Sequence, residues 1–266
     1  MRRIFLFLLF CSAIILYPQE PAEYYSTAKG KTGAALKTAL YQIISSHQAC
    51  SYAEVWDYFG FTDSDSTGII QDMYSSCLFL FSAGQCSKGP YKPECRCYNR
   101  EHSMPKSWFN GEMPMFTDMH MIFPSDGYVN LMKKNYPPGE VSVAIYVSTN
   151  GSKIGYNALP GYSGKAFEPA ARYKGDFARA YLYMATCYEN LIAGWELNDN
   201  YSNAVLNGTS YPAFEQWFIN MLICWHEADP VSKKEKQRNE YIYKHIQGNR
   251  NPFIDHPEFA ILIWGR

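Results

Sequence analysis

The sequence predicts a single α+β domain, a small mixed β-rich insertion among helices, and three observations carry that expectation. Apolar side chains recur at three- and four-residue spacing in four separate stretches, a β-branched run closes on an Asn-Gly turn, and between them lies a segment dense in Gly, Pro, Ser and Cys. With 266 residues, 47% of them hydrophobic and 18% charged, the chain can build a real core, and disordered, collagenous and coiled-coil classes are excluded. An aromatic share of 17% means that rings cover surface as well as interior.

The N-terminus is read first. Arg2 and Arg3 precede Ile4 to Tyr17, a 14-residue run without charge, which fits the basic and apolar regions of a secretory signal and is short for a bilayer span. Residues 1–19 are therefore expected to be an approximate signal peptide and residues 20–266 one domain, secreted or periplasmic. Leu9-Phe10-Cys11 places Phe where a lipoprotein box needs a small residue, so neither a lipid anchor nor stable membrane association is expected. A monomer is expected.

Removing Arg2, Arg3 and Cys11 leaves 22 cations against 25 acids, a formal charge of −3, and seven cysteines. Export permits disulfides, and an odd count leaves at least one thiol unpaired within the chain. No C-x-x-C pair occurs, and Cys95-x-Cys97 supplies no four-ligand set, so disulfides are expected rather than zinc. Charge is uneven. Residues 51–76 carry Glu54, Asp57, Asp63, Asp65 and Asp72 with no Lys or Arg, whereas residues 231–250 carry six cations against Glu235 and Glu240. The basic stretch fits either a phosphate-holding surface or a solvated helix face.

Ala34 to His47 places Leu36, Leu40, Ile43 and Ile44 on one helical stripe, and Tyr52, Val55, Trp56 and Phe59 form a second. Phe61 to Cys97 reads as short strands joined by stapled loops. Val141 to Val147, followed by Asn150-Gly151, predicts a hairpin returning near Ile154. Asp176 to Leu191 and Pro212 to His226 are helices whose aromatic stripes belong in the core. Ser232-Lys233-Lys234-Glu235 is a capping box for a helix closed by Gly248, and Asp255 is expected to cap the last helix at Pro257.

Ionisable and amide side chains concentrate in Tyr98 to Phe109 and again from Thr117 to Tyr136. Glu101 and Asn135 offer oxygen donors of the kind Mg²⁺ accepts, and His102 titrates near neutrality, where a general base works without being a ligand. A Glu-His pair by itself equally fits surface decoration. His226 and His245, on the polar edges of helices, read as structural. The triplets at Asn150, Asn200 and Asn207 match a glycosylation pattern that short sequences produce by chance.

Taken together, Glu101-His102-Ser103-x-Pro105-Lys106-Ser107-Trp108-Phe109, Asp118-Met119-His120 with Pro124-Ser125-Asp126-Gly127 and Val129-Asn130, then Asn135, Phe167-Glu168-Pro169, Lys174 to Ala180 and Gln247 to Pro257 resemble the secreted endonuclease I family. The blocks run in family order over about residues 34–260. The resemblance implies a ββα-metal (His-Me finger) core surrounded by helices, and an endonuclease with little sequence preference acting on DNA, often RNA too, to leave 5′-phosphates. It further implies His102 as the general base at a strand end, and Glu101 with Asn135, the latter on the helix after Pro124, as ligands of one Mg²⁺, with Mn²⁺ or Ca²⁺ able to occupy the same place. Asp118 or His120 would orient His102, and Asn249, Arg250 and Asp255 would brace the wall of the site.

One departure stands out. Members resembling the periplasmic enzymes carry an arginine between the catalytic His and the metal-binding Asn, yet residues 103–134 contain Lys106, Lys133 and Lys134 and no Arg. Arg179 is the first expected substitute, with Arg172, Lys174 and Arg250 as further phosphate-holding residues. Pairing of Arg179 with Asp176 is the structural alternative. Preference for RNA over DNA, or a secreted module that binds nucleic acid or glycan without cutting, remain competing readings.

Overall fold

The computed structural model describes residues 20–265, so the expected signal peptide lies outside the described residues. Sixteen named helices and strands follow one another: α1 (Gly33–Ile44), α2 (Glu54–Thr62), β1 (Ile69–Ile70), β2 (Phe79–Leu80), β3 (Tyr98–His102), β4 (Ile122–Asp126), α3 (Gly127–Lys133), β5 (Val141–Val147), β6 (Lys153–Asn157), β7 (Lys165–Glu168), α4 (Lys174–Cys187), α5 (Asn200–Asn203), α6 (Gln216–Ala228), α7 (Lys233–His245), α8 (Pro252–Asp255) and α9 (Glu258–Trp264). The mixture is the expected α+β architecture. Its sheets are three small antiparallel ones, β1-β2, β3-β4 and β5-β6-β7.

Helix α4 is the centre of the core. Nearly every residue from Gly175 to Cys187 is buried, because Ala178, Ala180 and Ala185 let α1 and α6 approach while Phe177, Tyr181 and Tyr183 fill the gaps between them. The Asn150-Gly151 turn forms as the sequence predicts: Gly151 takes φ +89°, and the Ser148 amide donates to the Ser152 carbonyl at 2.9 Å. The segment Phe61 to Cys97 has only the two-residue strands β1 and β2, and is stapled by Cys77–Cys95 and Cys86–Cys97. Cys50, Cys187 and Cys224 carry free thiols, the last exposed.

Two local expectations need correction. Asp255 does not cap the last helix; its carboxylate takes Arg250 from two sides, at 2.7 and 2.8 Å, and Pro257 itself precedes α9. The basic stretch is also only in part a free cationic face. Arg238 donates to Asp63 at 3.1 Å and Lys234 lies 3.4 Å from the same carboxylate, so two of its cations meet one acid of the acid-rich segment at the α2–α7 contact, while Lys233 and Lys236 stay exposed.

Strands β3 and β4 pair with Tyr98 opposite Asp126 and His102 opposite Ile122, and α3 follows directly. Asp126 makes that sharp strand-to-helix transition possible: its carboxylate accepts the Tyr128 and Val129 amides at 2.8 and 2.9 Å, and the Cys95 amide at 2.7 Å. The cap thus ties the disulfide loop, the hairpin and the helix into one ββα unit.

Candidate active site

A cavity of about 260 Å³ opens on this unit, and Glu101, His102, Asn135, Arg100, Lys106 and Lys134 line it together with Tyr52 and Trp56. The three residues the motif brought forward therefore share one cleft. Asn135 reaches it differently from expectation, since α3 ends at Lys133 and Lys134 adopts φ +53°. That left-handed residue turns the chain so that Asn135 leaves the helix instead of riding on it.

Each of the three side chains is held by one edge and left free at another. The Glu101 Oε1 atom accepts the Tyr74 hydroxyl at 2.8 Å and lies 2.8 Å from Lys133 Nζ, while Oε2 has no partner among the described residues. Lys133 is itself fully buried, so this pairing is shielded from solvent. The Asn135 Nδ2 donates to Asp199 Oδ2 at 3.1 Å, which leaves its Oδ1 unengaged. Asp199 is steadied in turn by the Ser107 hydroxyl at 2.8 Å and caps α5. His102 Nε2 sits 3.0 Å from the Phe116 carbonyl; a carbonyl only accepts, so Nε2 carries the hydrogen and Nδ1 keeps its lone pair.

The electrostatics favour that neutral tautomer. Burial drives the His102 pKa down to about 4, outweighing the Phe116 carbonyl that supports the charged form, and Lys106, Lys133 and Arg100 push it down further. Its ring stacks on Phe116, centroids 5.1 Å apart, which restricts the imidazole to one orientation.

The remaining expected residues lie elsewhere. Arg179 is buried, donates to Glu235 at 2.5 Å and to the Asp229 carbonyl at 2.9 Å, and stands 3.9 Å from Asp176, so the structural alternative describes it. Arg250 is gripped by Glu240 and Asp255, and Lys174 by Glu140 at 2.7 Å and Glu168 at 3.0 Å. Arg172 is exposed over the Tyr173 ring and does not line the cleft. Arg179, Arg250 and Lys174 are thus engaged by acids within the protein, and Arg172 stands outside the cleft. Asn249 likewise stays inside, donating to the Ile44 carbonyl and the Tyr183 hydroxyl.

Asp118 and His120 do not orient His102 either. Asp118 Oδ2 accepts the hydroxyls of Tyr183 and Tyr188 at 2.8 and 2.6 Å, and His120 Nε2 lies 3.2 Å from the Asn249 carbonyl. Around them His47, Asp118 and Cys187 bring one potential ligand atom each within 4.8 Å. Both hydroxyls and Gln247 engage the Asp118 carboxylate, burial pushes the Cys187 thiol well up, toward its protonated form, and His47 Nδ1 is buried without a hydrogen-bond partner.

Sequence reasoning missed Tyr74, Phe116, Asp199 and Arg100. Phe116 acts through its backbone, which has no side-chain signature, and Tyr74 and Asp199 arrive from distant segments. Arg100 was legible: it stands two residues before His102 on the same strand.

A ββα unit thus sets a Glu-His pair and an amide around one cleft with Arg100, Lys106 and Lys134, and the class of protein follows from sequence comparison. The Endonuclease I family profile matches residues 32–258, and the chain belongs to that family of nucleases. It is similar to an extracellular ribonuclease of Bacillus amyloliquefaciens, 37% identical over 95% of this chain and 82% of the relative. An extracellular ribonuclease of Bacillus subtilis (strain 168) is 36% identical over 91% of this chain and 78% of its own length. Endonuclease-1 of Buchnera aphidicola aligns more shortly, 28% identical over 52% and 44%.

Proposed function

We propose that this nuclease is a secreted, Mg²⁺-dependent endonuclease of low sequence specificity that hydrolyses RNA and DNA to 5′-phosphate products. Residues 1–19 serve as its signal peptide and residues 20–266 as one monomeric catalytic domain. The observation that supports this best is the set of unspent atoms in the cleft: Glu101 Oε2, Asn135 Oδ1 and His102 Nδ1, each belonging to a side chain fixed by its other polar atom. Two hard oxygen donors suit Mg²⁺, which needs few protein ligands, and Glu101 with Asn135 would hold it. A divalent ion there would neutralise a non-bridging phosphate oxygen and stabilise the leaving 3′-oxyanion.

His102 then takes a proton from water on Nδ1, the water oxygen bonds to phosphorus, and the P–O3′ bond breaks, with solvent protonating the departing oxygen. No 2′-hydroxyl takes part, so both sugars are substrates. The names of the two Bacillus relatives, and their export, support RNA as a substrate and a secreted location. The test is incubation of the purified protein with plasmid and with RNA. Cleavage of both in Mg²⁺, its loss in chelator and a drop of about 10²–10⁴-fold in His102→Ala are expected; intact substrates in both Mg²⁺ reactions would end this reading.

A further inference from the structure

We propose that Arg100 is the phosphate-binding cation of the cleft, contacting the phosphate that His102 and its water attack. The inference rests on the nuclease reading above and deepens it. Arg100 stands two residues before His102 on β3 and lines the same cavity. The guanidinium is fixed without any acid: its carbon lies 3.5 Å from the Tyr52 ring centroid and 4.4 Å from that of Trp56, and Nη1 donates to the Tyr52 carbonyl. Nε is buried without a hydrogen-bond partner, and Nη2 has none among the described residues.

The contrast with the other guanidiniums of the core decides the matter. Arg179, Arg238 and Arg250 each meet a carboxylate, while Arg100 meets none among the described residues. A half-buried cation that keeps open donors and is held on aromatic faces is preorganised for an external anion. A planar fork matches two phosphate oxygens at once, and charge accumulates on those oxygens as water attacks. Lys106 and Lys134, which also line the cavity, extend the cationic surface to neighbouring phosphates.

The experiment compares wild type, Arg100→Ala and Arg100→Lys in two measurements. The first is RNA turnover in saturating Mg²⁺. A loss of about 100-fold is expected for Arg100→Ala and about 10-fold for Arg100→Lys, which keeps charge without the fork, with the Mg²⁺ midpoint unchanged in both. The second is binding of a single-stranded oligonucleotide in chelator, where nothing is cut. The slope of log affinity against log salt should fall by about 0.7 in Arg100→Ala and stay near wild type in Arg100→Lys. The binding measurement stands even if wild type does not cleave, so failure of the nuclease reading and of this one are distinguishable. Wild-type turnover and an unchanged salt slope in Arg100→Ala would overturn the proposal. If Arg100→Ala does not fold, full turnover in a folded Arg100→Lys would overturn it equally.

Discussion

Two regions of this molecule are equally rich in charge and differ in how that charge is spent. Behind the core, the α4, α7 and α8 segments bury Arg179, Arg238 and Arg250 against Glu235, Asp63, Glu240 and Asp255, and each guanidinium meets an acid. At the β3-α3 cleft, Glu101, His102, Asn135 and Arg100 each retain an atom with no partner among the described residues. Desolvating polar groups is costly in both places. In the first the cost is offset largely by internal ion pairs, although Arg179 Nη2 keeps no hydrogen-bond partner; in the second Arg100 meets no acid among the described residues, and a substrate or ion can recover part of the cost. Charge by itself marks neither region as functional.

The largest expected effect that separates the two regions is on stability. Arg250→Ala leaves Asp255 and Glu240 facing each other without their cation, and breaking a buried pair of this kind costs about 3–5 kcal/mol. Chemical denaturation should show that loss, while the folded fraction keeps its turnover. Unchanged stability with lost turnover would place Arg250 in the site after all.

On the other side, Tyr74→Phe removes a hydroxyl that fixes Glu101 without touching the cleft chemistry. Metal activation should weaken by about 10–100-fold, read from the Mg²⁺ concentration giving half-maximal cleavage. No change would mean that Lys133 alone is enough to hold the carboxylate.

A smaller effect concerns pH. The proposed base, His102, would act in its neutral form, and burial holds its pKa down at about 4 where a free histidine would titrate near 6.5. The base form therefore persists as pH falls through 6.5 and is lost only on approaching the lower value. The acid limb of kcat/KM should lie well below 6; a limb at the ordinary histidine value would show that the ring is more solvated than its packing indicates.

How far the sequence revealed this arrangement depends on the kind of interaction. The helical stripes and the Asn-Gly hairpin are local, and periodicity and turn chemistry read them correctly; the strand end carrying Glu101-His102 is what the family resemblance implies. Asn135 was placed on a helix because nothing in Lys133-Lys134 advertises the positive φ of Lys134 that ends it. Arg179 and Arg250 were assigned to phosphate because their acids lie on other segments: Glu235 is 56 residues from Arg179. The same separation in sequence hides the meeting of Asp63 with Lys234 and Arg238, which joins the acidic 51–76 and basic 231–250 segments at one point. Arg100 precedes both His102 and Asn135, outside the interval in which the resemblance sets its arginine.

The most direct measurement is a titration of Mn²⁺ into the metal-free protein, followed by the loss of the free ion's paramagnetic resonance signal. One ion per chain should bind in wild type, bind far more weakly in Glu101→Gln and Asn135→Ala, and bind normally in His47→Ala. No bound ion in wild type, or binding that survives both cleft substitutions and disappears in His47→Ala, would contradict a metal centre built on Glu101 and Asn135.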